Sequence, residues 1–291
     1  MNTRQASITI TEAIAEGASA LRAAGVGEAR REAGSLLAHV LARDRTFLLT
    51  HGDDVLAAAD LEGYRRALAR RARGEPLQYI RGRQEFYGLD FEVTPDVLIP
   101  RPETELLVET ALELLRDEDA PRICDVGTGS GCVAVALLHE RADAHAIALD
   151  ISRAALSVAA RNAARHGVGE RISFVESDCF AALDAARERF RIVVSNPPYI
   201  PAAEYAQLQR EVREHEPRPA LTPDDADGLR IIRQILADAL PFVEANGHLL
   251  IEIGFGQHEA VAALIDPRAW TLLDIRRDLQ SIPRTVVIRK K

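Results

Sequence analysis

The chain has 291 residues, 47% of them hydrophobic, and a net charge of −8, which is enough apolar sequence for one large packed domain or two smaller ones. No stretch approaches the roughly 20 uninterrupted apolar residues of a membrane span, and the start, Met1-Asn2-Thr3-Arg4-Gln5, lacks the basic-then-apolar shape of a signal peptide. The acidic balance disfavours a nucleic-acid partner, which usually calls for a basic excess. Cys124, Cys132 and Cys179 form neither zinc pairs nor a disulfide framework, so a reducing, cytoplasmic setting is expected.

Up to about Gly74 the chain reads as all-helical. Ile14, Ala18 and Leu21 keep helical spacing, as do Ala33, Leu36, Leu37, Val40 and Leu41. A third helix runs from Asp60 past Leu61, Tyr64 and Leu68 until Gly74-Glu75-Pro76 stops it. Arg65, Arg66, Arg70, Arg71 and Arg73 decorate this helix, either as a solvated face or as a contact surface for an acidic partner. Between 79 and 100 the character changes. Phe86 to Val93 sets aromatic and β-branched residues around Gly88, which predicts a short hairpin, and prolines follow at 95, 100 and 102. This stretch reads as a linker between domains.

From Arg101 strand and helix alternate. Strands are predicted over 122–126, 144–149, 171–175, 191–195 and 248–253, with helices over 133–140, 152–166 and 229–243. Alternation of this kind implies a parallel sheet covered by helices. Two further apolar runs, 270–275 and 285–288, are separated by a charged segment too short for a helical crossover, so an antiparallel pair is expected at the end.

The first strand of this region runs into Asp125-Val126-Gly127-Thr128-Gly129-Ser130-Gly131, and a helix follows. Glycines at a strand-to-helix turn let the backbone bend sharply and a ligand approach closely. A dinucleotide fingerprint needs its third glycine three residues after the second, and that position is Cys132. The Gly-x-Gly-x-Gly form with a leading Asp125 instead resembles the S-adenosylmethionine loop of methyltransferases. The second strand closes with Asp150, a carboxylate that can accept both ribose hydroxyls of a nucleoside lying over the sheet edge. After the third strand come Ser177, Asp178 and Cys179, placed to meet the adenine.

The fourth strand ends in Ser195-Asn196-Pro197-Pro198-Tyr199. An amide or aromatic amine nitrogen is a poor nucleophile because its lone pair is delocalised. Two acceptors, the Asn196 side-chain oxygen and the Pro197 carbonyl, can bind its two N–H groups and aim it at a methyl donor while stabilising the charge that develops. The prolines fix the backbone, Pro198 removes a competing donor, and Tyr199 can pack flat against a planar group. The chemistry requires neither prior deprotonation nor a metal.

With these motifs in order, the chain resembles the bacterial release factor N5-glutamine methyltransferases, the HemK-type family, over nearly its whole length. The resemblance also rests on Phe86-Tyr87-Gly88, on Val97-Leu98-Ile99-Pro100-Arg101-Pro102-Glu103-Thr104-Glu105 and on Glu216-Pro217. Asp227-Gly228-Leu229 and Ile251-Glu252-Ile253-Gly254 extend it. It implies a small all-helical N-terminal domain for substrate recognition (1–78) and a β-hairpin linker (79–100). A doubly wound, Rossmann-like α/β methyltransferase domain (101–291) follows, its sheet mostly parallel with an antiparallel C-terminal hairpin. It implies S-adenosyl-L-methionine as cofactor, S-adenosyl-L-homocysteine as product, and the glutamine of the Gly-Gly-Gln motif in peptide chain release factors 1 and 2 as substrate. Cofactor contacts would fall on Gly127 to Gly131, Asp150, position 179 and Asn196, and substrate contacts on Asn196 to Tyr199. Many members carry tryptophan where this chain has Cys179, which reads here as a small apolar filler. Asn-Pro-Pro-Tyr alone is shared with nucleic-acid methyltransferases acting on adenine or guanine, so such an enzyme is the first alternative and a non-catalytic cofactor-binding scaffold the second.

Overall fold

A computed structural model describes residues 8–291, so the Met1–Gln5 segment read above lies outside the described residues. The chain divides into two compact units. One comprises the chain up to Gly82 together with Gln209–His215, and the other comprises Arg83–Leu208 and Glu216–Lys291.

The smaller unit is helical. α1 (Ile10–Ala23) begins at Thr9, whose hydroxyl accepts the Glu12 N–H while Glu12 reaches back to the Thr9 N–H, a reciprocal capping box. α2 (Ala29–Leu41) lies against it, and Leu21, Leu36 and Leu37 are wholly buried between them. A short α3 (Arg45–Thr50), capped by Asp44, follows. Six residues are too few for periodicity to register, so the helix expected as third is the fourth, α4 (Ala58–Ala72). Tyr64 packs on Gly17, where a Cβ would sit 2.1 Å from the tyrosine Oη. α5 (Leu77–Arg81) ends at Gly82 in the left-handed conformation.

The larger unit begins at Arg83. β1 (Arg83–Phe86) and β2 (Leu89–Glu92) pair around Tyr87 and Gly88, both at positive φ, as a two-residue turn with matching twist requires. Phe86 and Phe91 are buried in the same core as the parallel sheet. The two buried rings tie the hairpin to this unit. Asn162 adds a polar tie, exchanging hydrogen bonds with the Glu92 backbone on both its N–H and C=O and donating to the Ser130 carbonyl.

After α6 (Glu105–Leu114) come β3 (Arg122–Val126), α7 (Cys132–Glu140), β4 (His145–Asp150), α8 (Arg153–Arg165), β5 (Ile172–Glu176) and β6 (Phe190–Ser195). Then follow α9 (Ala202–Tyr205), α10 (Arg210–His215), α11 (Arg230–Asp238), β7 (Val243–Glu252), α12 (His258–Leu264), β8 (Trp270–Arg277) and β9 (Pro283–Lys290). The seven-stranded sheet has the order β5-β4-β3-β6-β7-β9-β8, with β9 antiparallel to both its neighbours and the rest parallel. One apolar cluster fills each face. The helix expected over 229–243 stops at Asp238, and Val243 already belongs to β7. Pro241 has no N–H to carry the helix on, and Val243 pairs with Phe190 of β6. The order reverses between β3 and β6, where open parallel sheets leave a crevice at the carboxyl ends of the strands.

Candidate active site

That crevice is a cavity of ≈ 570 Å³ within the larger unit, in the range of about 300–1,000 Å³ usual for small-molecule sites. Its floor is the turn after β3. The N–H groups of Gly127 and Thr128 both donate to the Leu149 carbonyl of β4, and Gly131 N–H donates to Thr128. Asp125 is almost fully buried and accepts the Thr128 hydroxyl at 2.7 Å and the Ala134 N–H of α7. Burial pushes its carboxyl up to about 6. Its charge thus closes the turn onto α7, although the residue also contributes to the cavity wall. Gly127, Thr128, Gly129 and Ser130 are on that wall, whereas Gly131 is not. Gly131 starts α7 at φ 80°, and a Cβ there would lie 3.0 Å from Ala159 of α8. The last glycine of the turn serves helix packing.

Asp150, at the end of β4, faces the cavity. Its Oδ2 accepts Gly129 N–H and its Oδ1 accepts Ser152 N–H, each at 2.9 Å. Burial raises its pKa while those N–H groups oppose the rise. The Ile151 N–H also bonds to this carboxyl, and three donors leave at least one of its four lone pairs for a ligand donor. Asp178 and Cys179 are also on the wall. Asp178 accepts from Gln234 at 3.2 Å. Cys179 is buried at φ 46°, its carbonyl accepts the Ser177 hydroxyl, and burial pushes its thiol up to about 12, so it stays neutral and fills space.

Opposite, the chain leaves β6 with Ser195, whose hydroxyl donates to the Val126 carbonyl at 2.7 Å and pins the ends of β6 and β3 together. Asn196, Pro197 and Pro198 then form part of the wall. Asn196 Nδ2 donates to Thr104 Oγ1 at 3.0 Å. Tyr199, expected beside them, is not on the cavity wall. Its ring lies against Gly254, and its hydroxyl hydrogen-bonds to the buried Glu252 carboxyl. Desolvation and the Glu252 charge raise its pKa, so it remains a phenol.

The comparisons with known proteins agree over almost the full chain. The family model described as PrmC N-terminal domain matches residues 12–82, and the Methyltransferase small domain model matches residues 102–214. The release factor glutamine methyltransferase of Nitratidesulfovibrio vulgaris is 45% identical over 272 residues, covering 93% of this chain and 91% of that protein. The protein of the same name from Burkholderia pseudomallei is 48% identical over 253 residues, covering 86% of this chain and 88% of its own length. The chain belongs to the release factor glutamine methyltransferase family. Among solved structures, the 16S rRNA N2 G1207 methyltransferase of T. thermophilus, in complex with AdoMet and guanosine, superposes with a TM-score of 0.51 at 17% identity. It covers 72% of this chain and 49% of that one, a likeness of fold alone.

In this member of the release factor glutamine methyltransferase family, several residues that sequence reading left without a role build the site from behind. Glu216 is buried and accepts Ile99 N–H at 3.1 Å and the Arg101 guanidinium, holding the Val97–Arg101 segment against the cavity. Gln257 accepts Gly254 N–H and donates to the carbonyls of Tyr199 and Asp227, at 2.8, 2.9 and 3.1 Å. Gly228 lies so close to Tyr199 that a Cβ would fall 2.1 Å from its carbonyl oxygen. Glu252 is 1% exposed, and burial pushes its carboxyl up to about 7, against hydrogen bonds from Thr104 and Tyr199. For Glu216, Gly228 and Glu252 the only sequence signal was their place in motifs shared with the family, and Gln257 falls in none of them. Spacing gives no hint that Gly228 and Gln257 meet Tyr199.

Proposed function

We propose that this protein methylates the side-chain amide nitrogen (N5) of the glutamine in the Gly-Gly-Gln motif of peptide chain release factors 1 and 2, using S-adenosyl-L-methionine. The observation that carries the reading is the position of Asn196, Pro197 and Pro198 on the wall of a cavity whose other side is the Gly127–Ser130 turn and Asp150. The names of relatives at 45–48% identity supply the substrate.

The residues fit the cofactor. Asp150 offers a free lone pair at the end of β4 where a ribose hydroxyl would lie, and the turn beneath brings main chain rather than bulky side chains to the cavity. Asp178 and Cys179 line the same cavity and would border the adenine. When bound, S-adenosyl-L-methionine supplies a sulfonium methyl as electrophile and leaves as S-adenosyl-L-homocysteine. Asn196 Oδ1 and the Pro197 carbonyl accept the two N–H groups of the substrate amide, orient its nitrogen and stabilise the positive charge that grows on it. Pro198, lacking an N–H, leaves those acceptors without a competitor. Tyr199 acts from outside the cavity wall, by holding the backbone of the Pro-Pro turn in place.

Release factors are thus the partners, and no direct nucleic-acid contact is expected. The setting we infer is cytoplasmic. Cys124, Cys132 and Cys179 are all free and buried, and among the described residues no helix is long and apolar enough to cross a membrane.

The test is mass spectrometry of each release factor after incubation with the protein and cofactor. We expect the mass of one added methylene on the Gly-Gly-Gln glutamine. Asn196→Ala should slow transfer roughly 100- to 1,000-fold, as removal of a transition-state hydrogen bond does, with cofactor still bound. Unmodified factor, or methylation of RNA or DNA instead, would reject the assignment.

A further inference from the structure

An Asn side chain has two ends of nearly equal shape and opposite chemistry. On the reading above, Asn196 accepts a substrate N–H only if Oδ1 faces the cavity. Turned by half a rotation, it would set its own NH₂ against the NH₂ of the substrate. Something must fix which end faces inward.

We propose that Thr104 is the positioning residue that fixes the Asn196 amide, with Glu252 behind it as the anchor. Asn196 Nδ2 donates to Thr104 Oγ1 at 3.0 Å. A hydroxyl has a single proton, and the carboxyl of Glu252, whose pKa the Thr104 hydroxyl lowers by favouring the charged form, takes it when ionised. With its proton committed there, Oγ1 offers Asn196 only lone pairs. The Nδ2 end is drawn to it and Oδ1 is left for the cavity. Thr104 is 2% exposed and Glu252 1%, so solvent water does not compete for the same bonds. The placement is rigid on both sides. Thr104 closes the short helical turn Pro102–Thr104, with its N–H on the Arg101 carbonyl, and the preceding segment is held by Glu216. Glu252 is the last residue of β7, beside the end of β6 from which Asn196 emerges. Thr104 is itself on the cavity wall, and the role assigned here to this threonine of the Ile99–Glu105 motif is to orient Asn196.

This inference rests on the methyltransferase reading, and its test separates the two. Thr104→Val keeps the shape and removes the hydroxyl, and Thr104→Ser keeps the hydroxyl. Both would be assayed on whole release factor, alone and in the Asn196→Ala background. Cofactor affinity and thermal unfolding would be measured alongside. Thr104→Val should lower kcat on the order of 10- to 100-fold, the scale set by leaving a buried donor without its partner. KM for the factor and affinity for the cofactor should change little, and Thr104→Ser should recover most of the rate. In the Asn196→Ala background Thr104→Val should cost nothing further, because the group it positions is gone. Equal loss in both backgrounds, a serine variant as slow as the valine one, or a loss confined to cofactor affinity or folding would overturn the positioning role. A wild-type protein that leaves release factor unmethylated would overturn the functional reading, and the role of Thr104 with it.

Discussion

Glu252 is a carboxyl placed where a charge is expensive. It feels the charges of Glu103 before α6 and Arg284 on β9, and the hydroxyls of Thr104 and Tyr199 favour its ionised form. Its Oε2 and the facing Thr285 Oγ1 are both buried without a protein partner. Desolvation outweighs Arg284 and the two hydroxyls, and the folded pKa rises from 4.5 to about 7. A carboxyl raised in this way binds its proton more tightly folded than unfolded. Below about 4.5 both states are protonated and folding carries no penalty. Between about 4.5 and 7 the unfolded chain releases the proton first, and stability falls with rising pH by up to about 1.4 kcal/mol per pH unit. Asp125, raised to about 6, acts in the same direction. Glu252→Gln should therefore gain on the wild type by about 3 kcal/mol between pH 4.5 and 8, read as the difference between urea unfolding curves across that range. A constant difference would show that Glu252 ionises freely in the fold. At this scale the sequence revealed the groups facing the cavity, since Asp150 and Asn196 stand at strand ends and chemistry names them. It could not reveal Thr104, Gln257 or Glu252 as supports, because each acts across contacts between residues distant in the chain.

Among the elements, the arginine-rich α4 was open to two readings, and the structure divides it. Arg65, Arg66 and Arg73 are exposed. Arg71 is buried, with ion pairs to Glu32 of α2 and Glu211 of α10 and a further bond to the Glu75 carbonyl. Helical spacing puts Arg71 on the same side as Tyr64 and Ala67, both buried, but a charge on that side cannot be recognised as paired until its partners are known. Removing one member of a buried pair leaves the other uncompensated. Arg71→Met should accordingly destabilise the helical unit by about 3–5 kcal/mol, whereas Arg65→Met should change it by less than about 0.5 kcal/mol. Thermal unfolding of the two variants checks this, and equal effects would return Arg71 to the solvated face. Strand positions in the sheet were legible to within a few residues because buried parallel strands read as apolar runs. The six-residue α3 and the end of α11 were not, since short helices lack a period and the apolar stretch 239–243 suits helix and strand alike.

At the scale of the whole molecule, the helical unit has its own apolar core, separate from the two clusters that sandwich the sheet, so the larger unit should fold when residues 1–82 are removed. The division is not clean in sequence, because Gln209–His215 follows soon after the Asn196–Tyr199 motif yet groups with the helices, where Glu211 meets Arg71. Truncation strips that segment of its partners, so two effects must be told apart. A single glutamine side chain offers few contacts, and choice of substrate must draw on surface remote from the reacting nitrogen. If the helical unit provides that surface, short Gly-Gly-Gln peptides will be poor substrates of the full chain, and removal of the unit will depress catalytic efficiency on whole release factor far more than on peptide. If the unit instead only steadies Gln209–His215, truncation will depress both alike, and Arg71→Met in the full chain will reproduce part of that loss. The measurement is the ratio of kcat/KM on whole factor to kcat/KM on peptide for the full chain, the truncated chain and Arg71→Met, with cofactor binding confirming that each is folded. We expect the ratio to collapse on truncation and to hold in Arg71→Met. A ratio unchanged by truncation would deny the helical unit any part in recognition and leave the exposed arginines of α4 as a solvated face.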